Sequence, residues 1–239
     1  MKIIKENISE LFRNYLIELK EIDIELGQET FNHVISQERN ASETQLYNNY
    51  YTLRFQKIIM KYFSEILKNA DMEIPIVDFG GGTGVLSIFL ASLGYQVIVW
   101  DIDNISLNIC KGRAAKLDLD IDVVKNIPKI DHYNLISFFS IRQSALNGAS
   151  IQCIAKNANN VFMIDTNERY FLHRLFSRKY GLRILEIDEI FLKSGLFLSK
   201  RFGACLMPKQ FSFFEPERGK EYPLLLSTMY FASYSKKLE

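Results

Sequence analysis

From residue 74 to residue 165, short apolar runs alternate with segments of helical periodicity. The apolar runs predict strands at 74–79, 96–101, 120–125, 133–139 and 160–165. The segments between them predict helices near 84–93, 104–117 and 143–156. Beyond residue 165 the pattern predicts helices near 167–179 and 186–194, then strands near 196–206 and 224–234. Such alternation is typical of a parallel sheet covered on both faces, so an α/β fold is expected.

The first 70 residues differ from the rest because their apolar residues recur mainly at helical spacing. Between Ile8 and Leu19, apolar positions repeat every three or four residues without Gly or Pro. A second long helix is predicted from Ser42, which can cap its first turn, to Asn69. Two regions follow from this contrast: a helical layer at 1–70 and one α/β domain at 71–239.

Composition narrows the partners that this chain can have. The 239 residues are 48% hydrophobic, which suits one large domain with an extension. Because 29 basic residues balance 28 acidic ones, the overall electrostatic field does not favour binding to nucleic acid or to an anionic membrane. Met1 to Glu10 contains no signal-like apolar core, and no apolar run approaches the ~18 residues of a membrane span. We therefore expect a cytoplasmic protein without nucleic-acid or membrane partners.

The potential metal ligands are scattered along the sequence. They are Cys110, Cys153, Cys205, His33, His132 and His173. No two of these cysteines have the short spacing of a zinc knuckle, and no two of the histidines have the spacing that places both on one helix face. No metal site and no disulfide framework are predicted.

A glycine-rich loop within Val77 to Gly84 follows an apolar strand and opens an apolar helix. Glycines let the backbone turn sharply, and the free N–H groups of the helix start can face a ligand. The dinucleotide pattern Gly-x-Gly-x-x-Gly fails here, because Ser87 or Val85 stands where its last glycine belongs. The next strand ends in Asp101, whose carboxylate can accept both hydroxyls of a ribose. The alternative is a tight turn, with Asp101 capping the following helix.

With Asp78, Gly80, Gly82 and Gly84, this loop resembles motif I of the class I S-adenosylmethionine-dependent methyltransferases. The resemblance implies a seven-stranded, mostly parallel Rossmann-like sheet with helices on both faces, and an N-terminal layer that serves as a lid. It also implies S-adenosylmethionine as the cofactor, S-adenosylhomocysteine as its product, and an enzyme. The loop, including Gly81, would hold the cofactor together with Asp78.

The same resemblance assigns further cofactor contacts. Asp101 would bind the ribose, with Asp103 as the fallback, and Ile102 would lie against the adenine. Asn126 stands where the family typically has Asp after the third strand; it would bind the adenine amine or be a turn residue. A second Asn, Asn134, replaces a typical Asp at the start of the fourth strand.

Candidate acceptor-site residues follow from where ligands lie in such sheets, beyond the carboxyl ends of the strands. This rule nominates the segment after the fourth strand, from Ser137 to Gln143, and the one after the fifth, from Asp165 to Glu168. Arg142 would clamp an anionic acceptor, unless it is a surface residue. His173 would act as a base, or be a surface residue or one whose hydrogen bonds are satisfied within the fold.

An aromatic cluster in the N-terminal layer, Tyr47 to Arg54, supplies the last candidate. Tyr50, within it, would contribute a hydroxyl to the site or pack against the sheet.

Ser137, at the end of the fourth strand, is expected to contact the cofactor.

The predicted function is transfer of a methyl group to an O or N atom of a small molecule, such as a sugar, a surface-glycan or a natural-product intermediate. After the fourth strand, Ser137 to Ser140 does not match the Asn/Asp-Pro-Pro-aromatic motif of amino-methylating nucleic-acid enzymes. The alternatives are a protein or RNA methyltransferase that docks its partner on the N-terminal layer or on 211–220, and a non-catalytic S-adenosylmethionine-binding subunit. A homodimer is an open option.

Overall fold

The computed structural model describes residues 4–27, 29–30, 32–33, 62–138, 140–141, 148–166, 182–205 and 229–236. Its helices are α1 (Ile4–Glu25), α2 (62–69), α3 (Val85–Ser92), α4 (Asn104–Lys116), α5 (Gly148–Lys156) and α6 (Ile184–Lys193). Its strands are β1 (Ile76–Phe79), β2 (Val97–Trp100), β3 (Asp122–Val124), β4 (Tyr133–Phe138), β5 (Ala158–Thr166), β6 (Leu196–Cys205) and β7 (Met229–Lys236).

The seven strands form one sheet in the order β3-β2-β1-β4-β5-β7-β6. The neighbours among β1 to β5 pair in parallel, whereas β7 runs antiparallel to both β5 and β6. The predicted mostly parallel, seven-stranded α/β fold is therefore confirmed. The predicted helix at 167–179 lies outside the described residues, as does the 224–228 part of the last predicted strand.

The central strands are apolar throughout because both of their faces are covered. All four residues of β1 and of β2 are buried, so neither strand shows the alternation of a half-exposed strand. Side chains that alternate along each strand enter two separate cores. Ile76 and Ile136 belong to the core that α1, α2 and α3 cover, and Val77 and Leu135 belong to the core beneath α5 and α6.

Three aromatic rings join the N-terminal helices to the first of these cores. Phe12 of α1, Phe63 of α2 and Phe89 of α3 contact one another edge to face, with centroids 4.8 to 5.4 Å apart. All three are buried, so α1 and α2 contribute to the same core as the sheet. The domain boundary near residue 70 stays a prediction.

The predicted helix from Ser42 to Asn69 is described only in its last part, 62–69, which is helical. Among the described residues, no helix is long and apolar enough to cross a membrane.

Candidate functional site

The glycine loop joins the carboxyl end of β1 to the start of α3. Gly80, Gly82 and Gly84 have φ angles of 68°, 54° and 76°, in the left-handed region that side chains disfavour. The sequence therefore uses glycine here because three of five consecutive residues have a left-handed backbone. The turn brings the backbone of the loop to the carboxyl edge of the sheet.

Two of these glycines are also enclosed by neighbouring side chains. A Cβ at Gly80 would collide with the side chain of Ser140, and a Cβ at Gly84 would collide with the sulfur of Cys110. Any larger residue at either position would displace packed atoms. These two glycines are required by the interior of the protein.

Gly82 differs from both, because, apart from its two chain neighbours, no described residue has a heavy atom within 4 Å of where its Cβ would be. Its neighbour Gly81 packs directly over Asp78, since a Cβ there would lie 2.8 Å from the Oδ2 atom of that carboxylate. The loop therefore has a packed inner side and an open outer side at Gly82. An open backbone surface of this kind lets a ligand approach closely.

Backbone and side-chain hydrogen bonds hold the loop in this shape. The N–H groups of Gly80 and Gly81 donate to the carbonyl oxygen of Trp100, at 2.8 and 3.2 Å. Ser140 Oγ donates to the Gly80 carbonyl at 3.0 Å, and the Gly84 N–H donates to the Gly81 carbonyl at 2.9 Å. The loop is thus ordered by the protein itself.

Asp101, which directly follows β2, contacts the glycine loop. Its Oδ2 accepts the N–H of Gly82 at 2.8 Å, and its Oδ1 accepts the N–H of Asp103 at 2.9 Å. Asp103 is the residue that caps α4, because its carboxylate accepts the N–H groups of Ile105 and Ser106, both at 3.2 Å. The alternative in which Asp101 caps the helix is therefore wrong.

Asp78 lies beneath the loop, buried, and accepts a hydrogen bond from Ser87 Oγ at 2.6 Å. Burial raises the pKa of Asp78 to about 7, against the lowering effect of the Ser87 bond, and the charge of Asp101 raises it further. The Asp78 carboxylate therefore supports the loop from below and is only partly ionised near neutral pH.

One peptide group of the loop has no hydrogen bond within the described part of the chain. It is the group between Gly82 and Thr83, whose carbonyl and N–H lie at the open position of the loop. A free N–H at the start of a helix favours an anionic or carbonyl group of a ligand. The N–H of the preceding residue, Gly82, donates to the carboxylate of Asp101, so the Thr83 donor and the Asp101 acceptor belong to neighbouring positions of one loop.

Apolar side chains extend the site beyond Asp101. Ile102 is 64% exposed, and Ile127, after β3, is 38% exposed. The ends of β2 and β3 are neighbours, because Trp100 pairs with Val124. Asn126 is exposed in the same segment after β3.

Ser137 lies near the end of β4 and is buried. Its N–H donates to the hydroxyl of Tyr62 at 3.1 Å, while its own Oγ has no hydrogen-bond partner among the described residues. The Tyr62 hydroxyl in turn donates to the carbonyl of Phe162 at 2.7 Å. Burial, with a contribution from the charge of Asp78, keeps the pKa of Tyr62 well above its usual value, so the phenol stays neutral.

The three residues predicted to serve catalysis, Arg142, His173 and Tyr50, lie outside the described residues. Asp165, predicted as a pocket wall, is fully buried near the carboxyl end of β5. The structure therefore brings together the predicted cofactor residues from Asp78 to Ile102 at one edge of the sheet.

Sequence reasoning missed three residues that shape the loop. Ser140 lies inside the candidate acceptor-site segment from Ser137 to Gln143, but no feature of the neighbouring sequence indicated its contact with the loop. Arg113 and Asp23 form a buried ion pair at the loop, and each sits in a helix where a charged residue normally marks the solvent face. The small residues around Arg113, namely Gly112, Ala114 and Ala115, were the only available signal of close packing there.

The family model described as "Tellurite resistance protein TehB" matches residues 44–141. These residues include β1 to β4 and the glycine loop. Comparison with curated proteins gives no significant match.

Solved structures show where this fold recurs. An S-adenosylmethionine-dependent methyltransferase from Clostridium acetobutylicum has 7% identity and a TM-score of 0.59, with 82% of this chain and 98% of that one covered. Magnesium protoporphyrin IX methyltransferase from Synechocystis PCC 6803, with bound S-adenosylhomocysteine (SAH), has 14% identity and a TM-score of 0.52, over 78% and 89%. TehB from Haemophilus influenzae has 14% identity and a TM-score of 0.52, over 74% and 61%.

Proposed function

Since the chain has the fold of the class I S-adenosylmethionine-dependent methyltransferases, we propose that it transfers a methyl group from S-adenosylmethionine to an oxygen or nitrogen atom of a small molecule. The observation that carries this proposal is the pairing of an open glycine loop with the carboxylate of Asp101. Both stand at the edge of the sheet where ligands of such folds bind.

The charges at the loop favour a cationic ligand over a phosphate. Asp78 lies below the loop and Asp101 beside it, and Arg113, which reaches the Thr83 carbonyl, is already neutralised by Asp23. A pyrophosphate at this loop would meet the carboxylate of Asp101. S-adenosylmethionine, which carries a sulfonium and an ammonium group, suits these charges better.

The polar groups of the site fit the parts of this cofactor. The Thr83 N–H is a donor for its carboxylate, and Asp101 is an acceptor for the two ribose hydroxyls. Ile102 and Ile127 offer apolar surface to the adenine, beside Asn126, whose amide can pair with the adenine edge. Gly82 leaves space for close approach of the cofactor to the backbone.

When bound, the cofactor would supply an activated methyl group, and the protein would orient the acceptor and exclude water. Tyr62, Ser137 and Ser140 keep the end of β4 next to the loop through the contacts described above. We propose that the acceptor binds beyond this end of β4, where Arg142 would contact an anionic group. His173 or Tyr50 would accept a proton if the acceptor atom carries one.

Two observations favour a small acceptor. The protoporphyrin methyltransferase, one of the proteins similar in fold, acts on a small molecule according to its name. The chain itself has a net charge of only +1, which gives no general attraction for a polyanion such as RNA.

Calorimetry with S-adenosylmethionine and with SAH tests the cofactor assignment. Micromolar binding is expected for both, and the absence of binding would overturn the assignment. Incubation with methyl-labelled S-adenosylmethionine, a panel of small metabolites, and protein and RNA fractions then tests the acceptor. Label confined to the protein or RNA fraction would contradict the small-molecule proposal.

A further inference from the structure

A buried ion pair links the N-terminal helix to the glycine loop. Arg113 of α4 donates from Nε and Nη2 to the two carboxylate oxygens of Asp23 in α1, both at 2.7 Å. The third nitrogen, Nη1, donates to the carbonyl oxygen of Thr83 at 2.8 Å. Neither charged side chain is more than 1% exposed, so all three bonds form away from water.

This third bond restrains one peptide group of the loop. The peptide between Thr83 and Gly84 is held at its N–H end by the Gly81 carbonyl and at its carbonyl end by Arg113. Gly84, the residue before α3, has no side chain with which to cap the helix. The guanidinium instead restrains the backbone immediately before α3 through the carbonyl oxygen of Thr83.

The held peptide directly follows the unpaired Gly82–Thr83 peptide. Because glycines on either side of Thr83 allow many backbone conformations, an unrestrained loop would have to be ordered when a ligand binds. Ordering the loop in advance removes that cost from binding.

Further contacts show that the chain after Asp23 follows α4 toward the other side of the site. Lys116 contacts Glu25 at 2.9 Å near the end of α4. His33 contacts Ser106 and Asp103 at its start, at 3.0 and 3.2 Å. One N-terminal segment thus touches the supports of both the loop and Asp101.

We infer that Arg113, oriented by Asp23, is a positioning residue for the cofactor site and that α1 is thereby required for tight binding of S-adenosylmethionine. The inference rests on the proposed function, because it concerns the same loop. It assigns to α1 a role in ligand affinity in addition to its packing against α3.

The test replaces the ion pair by apolar residues of similar size, Asp23→Leu with Arg113→Met. Apolar replacement of both partners of a buried pair is often neutral for stability, whereas removal of one partner leaves a buried charge. We expect the double variant to keep its fold by circular dichroism and to bind SAH about tenfold more weakly, as a lost charged hydrogen bond implies. Unchanged affinity in a folded double variant would overturn the inference.

The structure offers a matched control in a second Asp–Arg pair. Asp188 of α6 binds Arg201 of β6 through two guanidinium nitrogens, and a third contact goes to the Tyr234 hydroxyl instead of a loop carbonyl. The variant Asp188→Leu with Arg201→Met should leave the dissociation constant of SAH unchanged. A similar loss of affinity in both double variants would attribute the effect to general destabilisation and contradict the inference.

Two-dimensional NMR of the loop amides separates positioning from packing. In the Asp23/Arg113 double variant, the amide resonances of Gly82 and Gly84 should shift or broaden without ligand, and in the control they should not.

If that double variant fails to fold, Arg113→Lys is the second probe. The single ammonium group of lysine lacks the forked geometry with which the guanidinium group contacts both Asp23 and Thr83. A folded Arg113→Lys protein with native affinity would overturn the inference. Failure of the native chain to bind SAH would instead contradict the proposed function.

Discussion

The two ends of the sheet use similar polar interactions for different purposes. On the side of β1 and β2, the carboxylate of Asp101 and the guanidinium of Arg113 both contact the backbone of one loop. On the side of β6 and β7, Asp188 and Arg201 bond to each other and to Tyr234, all of them side chains. The first arrangement restrains a main chain that a ligand can reach, and the second joins a helix to two strands.

The contrast extends to glycine. Gly82, with φ of 54°, and Gly195, with φ of 78°, both have left-handed backbones with nothing in the described residues within 4 Å of a Cβ. Gly82 stands in the loop beside Asp101, whereas Gly195 forms the turn between α6 and β6. Both turns need glycine for its left-handed backbone, but only the turn at Gly82 lies at the proposed binding site.

The largest effect is expected from Gly82→Ala. Its left-handed backbone should cost about 1 kcal/mol of unfolding free energy. The added methyl group occupies the open side of the loop, so SAH affinity should fall by at least about 100-fold, since losing close approach forfeits several contacts. Urea unfolding and calorimetry measure the two quantities.

Gly195→Ala is the control for this substitution. It should show the same loss of stability, about 1 kcal/mol, with unchanged affinity. Native affinity in Gly82→Ala, or equal losses of affinity in both variants, would remove the distinction between the two turns.

The Asp101 carboxylate should give the second largest effect. Asp101→Asn keeps the shape of the side chain but loses charged acceptors for the ribose hydroxyls, so the dissociation constant of SAH should rise roughly 10- to 100-fold. Asp103→Ala is its control, because loss of the α4 cap should cost about 1 kcal/mol of stability and less than about twofold in affinity. A larger binding defect in Asp103→Ala than in Asp101→Asn would transfer the ribose role to Asp103.

Much of this half of the fold follows from local sequence. The glycines and Asp101 were predictable because strand ends, turns and spacing depend on a few neighbouring residues. Arg113 and Asp23 were not, because they are 90 residues apart and their burial depends on how α1 packs against α4. The function of the residues around Arg142 and His173 stays a prediction from the order of the strands.

The pKa of Asp78 gives a pH test of the loop's inner side. Its native pKa of about 7 lies above the ordinary value of 3.8, so the native state holds the proton longer than the unfolded chain does. The stability that this group contributes is therefore complete below about pH 4 and is lost as the pH rises to about 7. Relative to Asp78→Asn, the native protein should lose at most about 1.4 kcal/mol per pH unit in that range.

Urea unfolding of both proteins at several pH values between about 4 and 8 measures this difference. A difference in stability that does not change with pH would show that Asp78 titrates normally.

The smallest effect on SAH affinity is expected when the hydroxyl groups of two buried tyrosines are removed in turn. Tyr15 of α1 donates to the carbonyl of Val85, the first residue after the loop, at 2.7 Å, and Tyr133 of β4 donates to the carbonyl of Ile154 in the other core. Tyr15→Phe and Tyr133→Phe should each lower the unfolding free energy by about 1 kcal/mol, because each leaves a buried carbonyl with one bond fewer. Only Tyr15→Phe should also weaken SAH binding, by about twofold, since Val85 begins the helix that the loop opens. Equal affinities of the two variants would confine the influence of α1 on the site to Asp23 and Arg113.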